Sequence, residues 1–231
     1  MNAAVSLKER VLAAAAAQPS PTRRKGARRG WMLLGLSVVA GIALLEVAGG
    51  VAHSRDRPLS ETVRLADGWA LASAALTWLT LRRRAMSSTD PRLLVAATLA
   101  TPVVLYAWIG RFVGPLPEPI GPPDWPCFAF TMAAAATPLA SFLYGFRGIE
   151  PDRPEILGAA AGAASGAWGG VLALLWCPLT NPWHALIGHA APITVMTVIG
   201  SVLGARSLGL AAPALVGVRA SSAPRSAASW R

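Results

Sequence analysis

A chain of 231 residues that is 54% hydrophobic and only 14% charged, with a mean hydropathy of +0.47, has too little polar surface to stay in solution as a domain of this size. Its formal charge of +10 does not point to nucleic acid, because the lysines and arginines fall in short clusters between apolar runs, the pattern by which membrane proteins fix their orientation. The two cysteines are too few for a disulfide scaffold, so their positions matter more than their number.

Residues 1–30 form a cytoplasmic segment of their own in this reading. Ser6, followed three residues later by Glu9, matches a capping box, and the alanine-rich stretch to Gln18 favours a short helix that Pro19 stops. A basic tether follows, from Arg23 to Arg29. Val5, Val11 and Leu12 give the helix an apolar side that suits a partner's groove, while the tether suits anionic lipid.

Crossing the hydrocarbon core takes about 20 apolar residues, since each adds about 1.5 Å against about 30 Å of lipid. Six runs meet or approach that length, at 31–51, 65–81, 93–113, 127–144, 156–176 and 184–204. The second opens with Asp67 near its start. The small residues Gly50-Val51-Ala52 resemble a signal-peptide cleavage site, but the apolar run before them is too long and its leader too extended, which favours a retained helix. The expected fold is therefore all-α, a polytopic bundle of six transmembrane helices over residues 31–204. Residues 205–231, rich in Ala, Ser and Pro, form a cytoplasmic tail.

With the N-terminus inside, 17 of the 21 Lys and Arg residues fall on the cytoplasmic side; only Arg55, Arg57, Arg64 and Arg111 fall outside. The positive-inside rule reads this as N-in and C-in. Trp31 and Trp78 at inner ends, with Trp108, Trp125, Trp176 and Trp183 at outer ends, fit aromatic belts.

Both cysteines then lie outside. Cys127 starts the fourth helix after a loop with six prolines at 114–126, which is semi-rigid and holds it in a defined place. Cys177 ends the fifth. His184 and His189 follow, so that a thiol and two imidazoles lie within a short stretch, a donor set that suits zinc, copper or heavier thiophilic ions. The two histidines are five residues apart, which on an α-helix separates them by about 140°. Three uses of Cys127 and Cys177 stay open: a disulfide, a metal or thiol-reagent sensor, or two buried small residues. Glu46, near the outer end of the first helix, faces either Arg64 or the Cys/His group.

In the fifth helix Gly158, Gly162, Gly166 and Gly170 recur every four residues on one stripe, and Gly200 and Gly204 repeat the device in the sixth. Close helix packing within the monomer, or a homodimer, is the use of such a stripe. No nucleotide-binding loop, His-Glu-x-x-His motif or triad order is present, so an enzyme is not expected. A small transporter or channel is the rival reading, with the glycine stripe, Glu46 and the Cys/His group lining a route.

Trp-Pro-Cys127, the glycine-striped helix ending in Leu-Trp-Cys177-Pro178, and then His184, Gly188-His189 and Pro192 leading into Gly200 and Gly204 resemble the negative regulator of sigma-F family of six-helix membrane anti-sigma factors. The resemblance spans the whole chain in layout. It implies that the N-terminal segment, through Leu7, Val11, Leu12, Arg23 and Arg24, holds an extracytoplasmic-function sigma factor away from core RNA polymerase. It also implies that Cys127 and Cys177, with His184 and His189, sense heavy metal or oxidants outside. No resident cofactor is implied beyond a transient metal ion at the outer cysteines. Leu179 stands where an acidic residue is often found in the family.

Overall fold

The computed structural model describes residues 23–51, 59–81, 91–112, 124–146, 151, 153–177, 179 and 181–208. Six long helical elements make up almost all of them. These are α1 (Arg23–Val47), α2 (Leu59–Leu81), α3 (Pro91–Ile109), α4 (Asp124–Gly145), α5 (Pro154–Trp176) and α6 (Pro182–Leu208). A short 3-10 turn, Gly110–Phe112, extends α3. All but α2 are long and apolar enough to cross a membrane; α2 has the length but carries Arg64 and Asp67 in its first half. Each helix begins before its apolar run, because a polar first turn can satisfy backbone groups in the interface, whereas α1 ends at Val47 and α3 at Ile109, before their runs do.

The start of α5 and the end of α6 meet where Pro154 lies against Gly204, and Gly30 of α1 lies against Leu81 of α2 and Gly145 of α4. At the other end Trp108 donates to the Leu65 carbonyl (3.1 Å) and Trp176 to the Ala48 carbonyl (3.1 Å). Successive helices therefore run antiparallel, and Arg23 and Leu208 share one end of the bundle. Cys127, Cys177, His184 and His189 lie at the opposite end.

The centre of the bundle is α5. Its membrane window is 78% buried, against 22–44% for the other spans, and it touches every other helix. Its glycines and alanines make this position available, since only small residues on all sides let several neighbours approach one backbone. A Cβ on Gly158 would run into the Gly200 carbonyl and Gly204, one on Gly162 into the Met196 carbonyl, and one on Gly166 would stand 2.7 Å from the Ile193 Cα. These three glycines seat α6. Gly170, on the same stripe, instead accommodates the ring of Trp69 on α2, which is fully buried. The stripe is thus occupied within the chain.

The end of α1 is fixed by a glycine pair. Gly49 and Gly50 have φ of 111° and 78°, and the Gly50 N–H bonds the Leu45 carbonyl (2.9 Å) while the Gly49 N–H bonds that of Glu46 (3.1 Å). This is a Schellman stop, which needs the left-handed backbone that glycine tolerates. Trp31, Trp78, Trp125 and Trp183 are exposed at the helix ends, as belts require. Trp108 and Trp176 depart from that expectation: both turn inward, their indole N–H groups spent on helix carbonyls. An apolar cavity of about 290 Å³ opens between α1, α2, α4 and α5, and no ionisable side chain lines it.

Gly162→Ala is expected to lower stability in detergent by about 1–3 kcal/mol, the usual penalty of overpacking, because the added methyl meets backbone rather than a movable side chain. Gly35→Ala, where a Cβ meets nothing within 4 Å, is expected to stay within about 0.5 kcal/mol of wild type. Equilibrium unfolding in mixed micelles separates the two.

Candidate thiol and imidazole centre

The site is built where three chain segments converge. Cys127 stands in the first turn of α4, Cys177 caps the end of α5, and His184 and His189 lie in the first turns of α6. Asn181 starts α6 by accepting the Trp183 N–H (2.9 Å), with Pro182 at the first helical position, where its missing N–H is not needed.

Residues Ala185–Ala190 then form a π-helical stretch. In a π-helix the hydrogen bond closes five residues along rather than four, so residues five apart stack on one face. This overturns the expectation of an angular separation between the two histidines. Their rings meet edge to face, with centroids 5.3 Å apart.

All four side chains are buried, Cys127 and His189 completely, and their donor atoms lie within 4.8 Å of one another. Both cysteines are free thiols. Cys177 Sγ is 3.2 Å from His184 Nε2, and His184 Nδ1 is 2.9 Å from Asp124 Oδ1. Among the described residues, neither ring nitrogen of His189 has a hydrogen-bond partner. Cys177 sits past the end of α5, outside the spanning segments. The neighbouring Cys127 thiol first, then His184 and His189, hold its pKa below the usual thiol value despite burial.

Close contact depends on Gly188, where a Cβ would stand 3.0 Å from Cys127 Cβ. The Thr131 hydroxyl, shared between the carbonyls of Cys127 (2.7 Å) and Gly188 (3.0 Å), ties α4 to the π-helical stretch. Leu179 and Trp176 cover the cysteines, and Trp176 stacks on Phe130 at 4.7 Å.

The sequence-predicted Cys127, Cys177, His184 and His189 thus come together. Glu46 is not part of the group and is exposed. Leu7, Val11 and Leu12 lie outside the described residues, and Arg23 and Arg24 open α1. Asp124 and Thr131 were not singled out from the sequence, and Gly188 only as part of the resemblance. Asp124 had a usable signal, since it precedes Cys127 by three residues and so shares its helix face. It brings a carboxylate from α4 to His184.

The donor set fits a soft divalent ion. Donors about 2.0–2.3 Å from a tetrahedral ion stand roughly 3.3–3.8 Å apart, so the widest separation here would close by about 1 Å. Two thiols, two imidazoles and an orphaned buried ring suit that chemistry better than a hydrogen-bonded core does.

Fold and site together define a polytopic helical membrane protein with a buried thiol and imidazole centre at the end of the bundle opposite Arg23 and Leu208. A family model described as Negative regulator of sigma F matches residues 12–210, and the chain belongs to that family. No curated protein and no solved structure matches it.

Phenylarsine oxide, which needs two neighbouring thiols, is expected to bind one per chain and to protect both cysteines from maleimide. Cys127→Ser and Cys177→Ser should each abolish capture, as read by intact-protein mass spectrometry. Capture by either single variant would contradict the pairing.

Proposed function

We propose that this protein is an inner-membrane anti-sigma factor that sequesters an extracytoplasmic-function sigma factor through residues 1–30 and releases it when metal or oxidant reaches Cys127 and Cys177 from the periplasm. The family match supports a regulator with a sigma factor as partner, and not an enzyme. The observation that carries the sensing half is the buried set Cys127, Cys177, His184 and His189, four soft donors on three segments. The charge asymmetry of the sequence supports the N-in, C-in orientation that turns this set outward.

Cys127, Cys177, His184 and His189 would hold the ion, which supplies bonds between α4 and the α5–α6 pair in place of weaker contacts. A signal shifts the sigma-binding equilibrium only by its differential affinity for the two states. Helix α4 provides a physical route for that difference. Cys127 stands at one end, and at the other Gly145 lies against Gly30 of α1, with a Ser37 to Ser141 hydrogen bond of 2.6 Å between them along the way. Movement of α4 at the centre therefore reaches the helix that leads to residues 1–22.

Pull-down from native membranes is expected to recover a sigma factor with the full chain and not with one lacking residues 2–29. In cells, Cys127→Ser and Cys177→Ser are expected to retain the sigma factor but lose induction by cadmium. Unchanged induction in both variants would sink the sensing role, and failure of the full chain to capture any sigma factor would sink the anti-sigma role.

A further inference from the structure

His184 has both ring nitrogens engaged, and the two contacts are unequal in kind. Nδ1 faces Asp124 Oδ1 at 2.9 Å and Nε2 faces Cys177 Sγ at 3.2 Å. A carboxylate oxygen accepts, so Nδ1 carries a hydrogen, and Nε2 is the nitrogen that faces the space shared with Cys127, Cys177 and His189, its lone pair open to an ion when the ring is neutral. His184 is buried, whereas the Asp124 side chain is 38% exposed, so the carboxylate keeps part of its hydration while it fixes a buried ring. His189, by contrast, has no partner on either nitrogen and is fully buried. The centre thus holds one imidazole already oriented by the protein and one whose donors are unclaimed.

We propose that Asp124 is the positioning residue of this centre, setting the tautomer and angle of His184 so that Nε2 completes a two-sulfur, two-nitrogen site for a soft divalent cation. The inference rests on the metal-sensing reading above and adds to it the residue that prepares the site. A carboxylate behind a ligating histidine holds the ring in place and raises its basicity, and loss of such a partner typically weakens metal binding about 10–100-fold. The position also explains why the carboxylate comes from α4: Asp124 and Cys127 are on one helix face, so a single segment delivers a ligand and the group that orients another.

Asp124 also stands in the first turn of α4, where any acid favours the helix dipole. The test must separate that role from positioning. Full-length protein in detergent would be titrated with Cd2+ alone, and the ligands counted by X-ray absorption at the cadmium edge. Wild type is expected to bind one ion with two sulfurs and two nitrogens. Asp124→Asn is expected to bind about 10–100-fold more weakly and to lose one nitrogen while keeping both sulfurs. Asp124→Glu, which restores the carboxylate, is expected to recover the second nitrogen, which a purely helical role would not require.

Cadmium to nitrogen coupling on isotope-labelled histidine in the wild type needs no variant to fold, and is expected at His184 Nε2 and not at Nδ1. Ligation through Nδ1, or wild-type affinity with a full nitrogen count in Asp124→Asn, would overturn the positioning role alone. Absence of Cd2+ binding by wild type would overturn it together with the metal arm of the proposed function, while sigma-factor capture would still stand or fall by its own test.

Discussion

The close contact between α5 and α6 is the constraint on which the rest of this molecule depends. Backbone meets backbone at Gly158, Gly162, Gly200 and Gly204, with no side chain between them to adjust. In lipid, where apolar side chains gain little by leaving the solvent, such close approach is a main source of helix association. It places the short connection from Cys177 to Asn181 so that α6 starts directly beside the end of α5. Cys177 and His184 are then neighbours as a consequence of chain geometry.

The second requirement comes from burial. Four side chains with ionisable or soft donor atoms are withdrawn from water at the edge of an apolar bundle, and the two nitrogens of His189 are left without partners. A buried polar group without a hydrogen bond costs about 1–3 kcal/mol, and the fold supplies that more than once in one small volume. A core selected for stability alone would fill this space with alanine and leucine, as it does along α5. The glycine at 188 and the π-helical stretch both bring donors closer together, although a regular α-helix with a side chain at that position would be easier to form.

Much of the fold was legible because the apolar runs, the charge clusters and the glycine period each act over long stretches of sequence. The same holds for the pairing of the outer cysteines with the two histidines, which follows from their common position at helix ends. What escaped the sequence was local. An α-helical period separates His184 from His189, and nothing in Ala185–Ala190 by itself announces a π-helix. Trp108 and Trp176 read as interfacial because indoles favour that depth, yet each finds a helix carbonyl that turns it inward. Asp124 was hidden by its surroundings, a proline-rich loop in which an acidic residue reads as an ordinary helix start. Gly170 shared the period of the α5 stripe but not its partner, since periodicity identifies a face and not the neighbour that covers it.

The contrast between the two halves of the centre bears on how it could act. Cys177, His184 and His189 belong to the α5–α6 pair, whose glycine contacts leave it little freedom to rearrange. Cys127 and Asp124 belong to α4, which packs closely on α5, where a Cβ on Gly169 would stand 2.5 Å from the Thr131 carbonyl oxygen, and is tied to α6 by the Thr131 hydroxyl and by the His184 to Asp124 contact. In the proposed sensing, bonds from an ion would draw these two halves together. The far end of α4 meets α1 through Gly145 and Gly30, again without intervening side chains, so in that reading a shift of α4 would reach α1 without first being absorbed by rotamer changes. On the proposed function, a packing of small residues that looks like a stability device would also make the bundle stiff enough to carry a displacement along its length.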